Sequence, residues 1–227
     1  MKLFRSNQSG YVKRSVPTWA GCIFPRRRAS VAPTTIDGIL REWHRTSSAV
    51  NLDRMRVLGI DCGTEVTGFG VVDADESRQP RAAQAELTCR ALGAIRLPKN
   101  CPLPQRLNRI FAELTSELER WRPDSVAIEE VFYSVNPKSA LKLGQVRGVA
   151  LLAAARQGIE VAEYAPLKIK SSVVGYGLAK KEQVQFMVAR LLGLAELPQP
   201  ADAADALAVA ICHIHTAQTL ALREVVR

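Results

Sequence analysis

Long uncharged apolar runs are missing from this 227-residue chain. No segment approaches the roughly 18 consecutive apolar residues of a membrane-spanning helix, which leaves no candidate span. Cysteine is sparse: the five residues at 22, 62, 89, 101 and 212 form no Cys-x-x-Cys pair. With only three histidines they make no zinc-like cluster, and an odd, scattered set fits a reducing compartment better than a disulfide framework. Apolar residues at 47% and charged residues at 23% are ordinary for a soluble globular protein, so neither a fibrous nor a wholly disordered chain is indicated.

What the chain does have is a net charge of +9, which reads as a nucleic-acid signal until it is divided. Residues 1–54 hold ten Lys/Arg against three acids, while the remainder holds 21 basic and 19 acidic residues. Most of the basicity therefore belongs to the first segment. A charge argument for DNA binding cannot be extended to the rest without locating its charges.

Residues 1–54 mix Pro, Ser, Thr and Arg, with a run at Arg26–Arg28 and no sustained apolar period. They read as a basic, disordered extension or as the product of a start codon assigned too far upstream. A tail adding non-specific DNA affinity is a further reading. Organelle import is another, weakened by Asp37 and Glu42. The expected organisation is this extension, a folded domain over residues 55–220 and a short tail over 221–227.

From Met55 the pattern is α/β. Arg56–Ile60 reads as a first strand ending at Asp61, followed by a Cys62-Gly63-Thr64 turn and a second strand over Gly68–Asp73. A third strand is expected over Arg90–Leu97. Leu103, Leu107, Ile110, Phe111, Leu114 and Leu118 mark one face of an amphipathic helix that Pro123 ends. Ser125–Glu129 is a fourth, buried strand. Asn136-Pro137 starts a helix that runs to about Arg156. Ile159–Tyr164 is a fifth strand. Helices follow over Lys180–Leu192 and from Ala201 to about Leu220. Three antiparallel strands followed by helix–strand–helix–strand imply a five-stranded mixed sheet covered on both faces.

Four acids stand out on this frame. Asp61 and Glu129 end apolar strands, where a carboxylate is costly unless it binds something. Asp202 and Asp205 sit three apart at the start of the last helix and so face one way. Taken singly, each has a plain explanation: a turn residue, a solvated strand end, or acids favoured by a helix N-terminus. If the two strands are adjacent and the helix packs over their ends, the four converge. Such a cluster repels itself without cations, and hard divalent ions such as Mg²⁺ suit its oxygens.

The strings GIDCGTEVTGFGVV (59–72), AIEEVF (127–132), NPKSALKLGQVRGV (136–149) and ADAADALAVAICH (201–213) together resemble the RuvC family of Holliday-junction resolvases. The resemblance covers roughly residues 55–218, in order. It implies a ribonuclease H-like fold, a homodimer and metal-dependent nicking of two opposed strands of a four-way DNA junction. Asp61, Glu129, Asp202 and Asp205 match the family's catalytic, metal-binding acids, with two Mg²⁺ per site and Mn²⁺ as a substitute. Phe132 matches an aromatic that stacks on a junction base, and Lys170 and Lys181 match basic residues near the scissile phosphate or the DNA backbone. A branch-migration motor is the implied partner, and a cytoplasmic, nucleoid-associated location is expected. Cys62 stands where many relatives have proline, and Glu65 where many have a basic residue.

Other readings of the same residues are fewer. Phe132 read alone is a core residue, and Lys170 and Lys181 read alone are solvated surface. His213 and His215, two turns or more past Asp205, read as satisfied core or helix-surface residues, not ligands. Gly59–Thr64 also resembles the phosphate hairpin of actin-like ATPases, but the chain lacks their late Gly-Gly motif. A ribonuclease H-like nuclease acting on RNA or other branched DNA, or a non-catalytic junction-binding protein, remains as an alternative function.

Overall fold

The computed structural model describes residues 54–75, 86–98, 100–130 and 137–225. Five strands form one sheet: β1 (Arg54–Asp61), β2 (Val66–Asp75), β3 (Glu86–Arg96), β4 (Ser125–Glu129) and β5 (Glu160–Tyr164), in the order β3-β2-β1-β4-β5. The first three pair antiparallel; β4 joins β1, and β5 joins β4, in parallel. This is the expected mixed sheet. Its β2 and β3 extend further than their apolar cores indicated, because antiparallel pairing carries the hairpin past the residues it buries.

Two helices cover one face, α1 (Leu103–Trp121) and α2 (Pro137–Arg156). Three cover the other: α3 (Pro166–Val174), α4 (Lys181–Leu191) and α5 (Ala201–Val225). Strand alternation feeds two separate cores. Leu58, Ile60, Val126 and Ile128 pack with Ile110 and Leu114 of α1 and Val146 of α2. Met55, Val57 and Ala127 pack with Val173 of α3, Val188 of α4 and Leu207, Ala210 and Ile211 of α5. Helix α5 is apolar around most of its circumference, as a helix buried between a sheet and other helices must be.

Two elements differ from expectation. Helix α3 was not foreseen, and α5 continues to Val225, past the expected Leu220 and into the stretch assigned to a tail. The expectations for residues 1–53 and for Phe132 lie outside the described residues.

Candidate active site

Period-two alternation decides where Asp61 points. It is in phase with Met55 and Val57, whose side chains lie in the α5-side core, so it faces α5. In β4, Glu129 is in phase with Ala127 and faces the same way. Ile60 pairs with Ile128 in parallel register, which makes Asp61 and Glu129 neighbours at the carboxyl ends of adjacent strands. That crevice is where open α/β sheets bind ligands.

Glycines bring the third element in. A Cβ on Gly68, the β2 partner of Asp61, would lie 2.0 Å from the Asp202 carbonyl oxygen. A Cβ on Gly59 would lie 2.0 Å from the Ala206 carbonyl oxygen. Only glycine allows the first turns of α5 to rest on the sheet backbone, and this contact delivers Asp202 and Asp205 to the strand ends.

The four acids act on one another. Burial first, then the charges of Glu129, Asp205 and Asp202, push the Asp61 carboxyl up to about 7, against an opposing pull from Lys181. Glu129 is raised first by burial and then by Asp205, with Lys170 and Lys181 pulling it down. Lys181 Nζ donates to Asp205 Oδ2 at 2.5 Å. Burial works to lower the Lys181 ammonium, but this bond and the charges of Asp205, Asp61 and Asp202 outweigh it, and the group is raised.

Helices α3 and α4 close a cleft of about 190 Å³ over these groups, with Glu129, Asp205, Lys170 and Lys181 as its charged lining. The two lysines thus come from the two helices beside α5 and meet the carboxylates. A larger cleft of about 350 Å³ lies at the opposite end of β1. Several of its charges are paired with one another: Arg56 holds Asp73 through two bonds of 2.6 and 2.8 Å. It contains none of the four acids.

The donor set bears on which metal would fit. Among the described residues, no three His, Cys, Asp or Glu side chains close into a ready-made cage. The four carboxylates instead form an open, oxygen-only set. Mg²⁺ takes one or two carboxylates and completes its shell with water and phosphate, so an open set suits it. The repulsion that raises Asp61 and Glu129 is the kind a divalent cation relieves. Cys62 is not a ligand candidate, since it packs against the core on the α1–α2 side of the sheet, opposite to the face that carries the acids. His213 lies 2% exposed in the core with both ring nitrogens hydrogen-bonded to protein, as a satisfied core residue would.

Sequence reasoning missed α3 and the two close-approach glycines. The α3 signals were present: Pro166 opens the helix, Gly175 in the left-handed region (φ 83°) closes it, and Ile169 and Val173 recur at i, i+4.

Known proteins resemble this chain over most of its described residues. The family model described as crossover junction endodeoxyribonuclease RuvC matches residues 57–213, a span that includes all four acids and both lysines. Curated relatives described as crossover junction endodeoxyribonuclease RuvC include one from Koribacter versatilis, 58% identical over 166 residues (73% of this chain, 96% of the relative). Another, from Acidobacterium capsulatum, is 61% identical with the same coverage. A solved structure of Thermus thermophilus RuvC in complex with Holliday junction substrate matches with a TM-score of 0.65 at 33% identity, covering 73% of this chain and 96% of that one. The chain therefore belongs to the RuvC family of crossover junction endodeoxyribonucleases.

Proposed function

We propose that this protein resolves four-way DNA junctions by paired, symmetric nicks, through phosphodiester hydrolysis that depends on Mg²⁺, two ions to a site. One observation carries the reading: two parallel strand ends and one helix start bring Asp61, Glu129, Asp202 and Asp205 together beside Lys170 and Lys181. The carboxylates would hold the cations, which when bound supply activation of the attacking water and stabilisation of the departing oxygen. Lys170 and Lys181 present positive charge to the phosphate. Phe132, which lies between β4 and α2 in the sequence, is the proposed stacking contact with an unpaired base.

Two opposed cuts call for two sites related by a two-fold axis, so the working unit is a homodimer. Helix α2 supports this. Leu141 and Leu152 are 71% and 52% exposed, and Gly144 and Gly148 between them have open space where a Cβ would stand. Steps of three, four and four residues put these four on one stripe, where a second helix could approach closely. Docking to a branch-migration motor, in the cytoplasm, completes the proposal.

The test is cleavage of a synthetic four-way junction with Mg²⁺ or Mn²⁺, comparing the wild type with Asp61→Asn, with duplex and single-stranded DNA as controls. Paired nicks that the variant loses while still binding the junction are expected. Junction binding without cleavage by the wild type would leave a binding protein. Equal cutting of every substrate, or of RNA alone, would remove the junction assignment.

A further inference from the structure

Glu129 and the acids Asp202 and Asp205 stand on two bodies, the strand pair β4–β5 and helix α5, and one buried side chain bonds to both strands from the helix. His213 Nε2 lies 2.9 Å from Ser125 Oγ at the start of β4, and His213 Nδ1 lies 2.8 Å from the Tyr164 hydroxyl at the end of β5. The Tyr164 and His213 rings also meet edge to face, with centroids 5.8 Å apart. Burial lowers the imidazole to about 4, so at neutral pH the ring is uncharged, with one nitrogen donating and the other accepting. Whichever nitrogen carries the proton, the ring donates to one hydroxyl and accepts from the other, and the two hydroxyls hold it from opposite sides.

The placement of the partners is what matters. Tyr164 is the register partner of Glu129, and its carbonyl oxygen accepts the N–H of Glu130 at 2.9 Å. Ser125 lies on the same strand as Glu129, four residues earlier, or about 13 Å along an extended chain. His213 lies on the same helix as Asp205, eight residues later, or about 12 Å along the axis. From His213 the clamp thus reaches the start of β4 through Ser125 and, through Tyr164, the residue paired with Glu129, and the Ser125–Glu129 and His213–Asp205 arms are of nearly equal length. Thr216 of α5 adds a further hydrogen bond to Tyr164, beside apolar packing and the main-chain approach at Gly59 and Gly68, and apolar packing tolerates small sliding better than a bond with a fixed donor and acceptor.

We propose that His213 is a positioning residue: with Ser125 and Tyr164 it fixes the axial setting of α5 on β4–β5, and thereby the spacing of the acids on α5 from Glu129. This rests on the reading that the four acids hold divalent cations. Mg²⁺ demands near-ideal geometry at its oxygens, so a small slip of the helix would weaken its binding before it unfolds the protein.

The experiment uses the full chain and three variants. Tyr164→Phe and Ser125→Ala each remove one of the ring's two bonds with little change in volume, and His213→Leu removes both. Mn²⁺ alone is titrated against each protein, with free Mn²⁺ followed by its spin-resonance signal. The Mg²⁺ concentration for half-maximal junction cleavage is measured in parallel, and thermal melting confirms that each variant is folded. Weaker Mn²⁺ binding by about 10–100-fold in His213→Leu, with smaller shifts in the two single-bond variants and a matching rise in the Mg²⁺ midpoint, is expected. Folded Tyr164→Phe and Ser125→Ala proteins that bind Mn²⁺ as the wild type does would overturn the clamp and leave a packing role, whether or not His213→Leu folds. A wild type that binds no Mn²⁺ would instead remove the cation-site reading beneath it.

Discussion

The ammonium of Lys181 stands 2.5 Å from Oδ2 of Asp205, so a cation supplied by the protein itself rests on one of the four acids. The Lys181 side chain is 52% exposed, which limits what this pair contributes to folding. Lys181→Ala should therefore change stability by only about 0–1 kcal/mol. Junction cleavage at saturating Mg²⁺ should nevertheless fall by about 100-fold, as for loss of a group aimed at developing charge. Melting curves and single-turnover cleavage on the same preparation check both. An unchanged cleavage rate would place Lys181 outside the reaction.

Asp61 gives a pH signature in metal-free protein. Its carboxyl is raised from 3.8 to about 7, so between those values the folded state holds a proton that the unfolded state has released. Stability contributed by this group falls as pH rises through that window. Asp61→Asn removes the effect and should be more stable than the wild type at pH 8 in chelator, by at most about 4 kcal/mol. The two proteins should converge near pH 4. Denaturant melts across this range test the sign, and a gap that widens toward low pH would contradict it.

The backbone contact under α5 makes a separate prediction. Gly68→Ala places a Cβ 2.0 Å from the Asp202 carbonyl oxygen, at the turn that carries two of the acids. Cleavage should be lost while far-UV circular dichroism stays close to wild type. Gly59→Ala meets Ala206 deeper along the helix and should destabilise by about 1–3 kcal/mol or more, since overpacked sites relax only by moving backbone. Retained cleavage in Gly68→Ala would mean that α5 can shift without moving the acids.

Cysteine reactivity offers a probe of the same region. Cys62, with its thiol pushed up to about 12, carries almost no thiolate at pH 8. Iodoacetamide should modify Cys101 well before Cys62, followed by peptide mass spectrometry. Rapid labelling of Cys62 in the native protein would show that the strand end beside Asp61 opens readily.

Most of the sheet was legible because its strands are short apolar runs ending at punctuation: Ile60 before Asp61, Ile128 before Glu129, Pro123 before Ser125. The acids were legible for the same reason, since a carboxylate at the end of a buried run is an anomaly within one strand. Helix α3 was not, because Ser171, Ser172, Val173 and Val174 are weak helix formers, and its few buried positions pack against α4 and α5 and show no long period of their own. The roles of Gly59 and Gly68 were hidden more deeply. A glycine in a strand reports only that no side chain is wanted, and what occupies the space is a helix more than 130 residues later. The partners of His213 on β4 and β5 were equally beyond a reading by local spacing.

The glycines have a further consequence. Where α5 rests on β1 and β2, main chain meets main chain, and the thinnest residue already occupies the seam. Such a seam is a hard stop. Substitutions elsewhere around α5 can lift the helix or let it drift, but none can seat it lower. Mutation can therefore lift the helix acids off the sheet and cannot press them closer onto it. Variants that disturb this seam should bind cations more weakly, whereas changes among α3 and α4, where the cleft wall is made of side chains, leave the seam as it is.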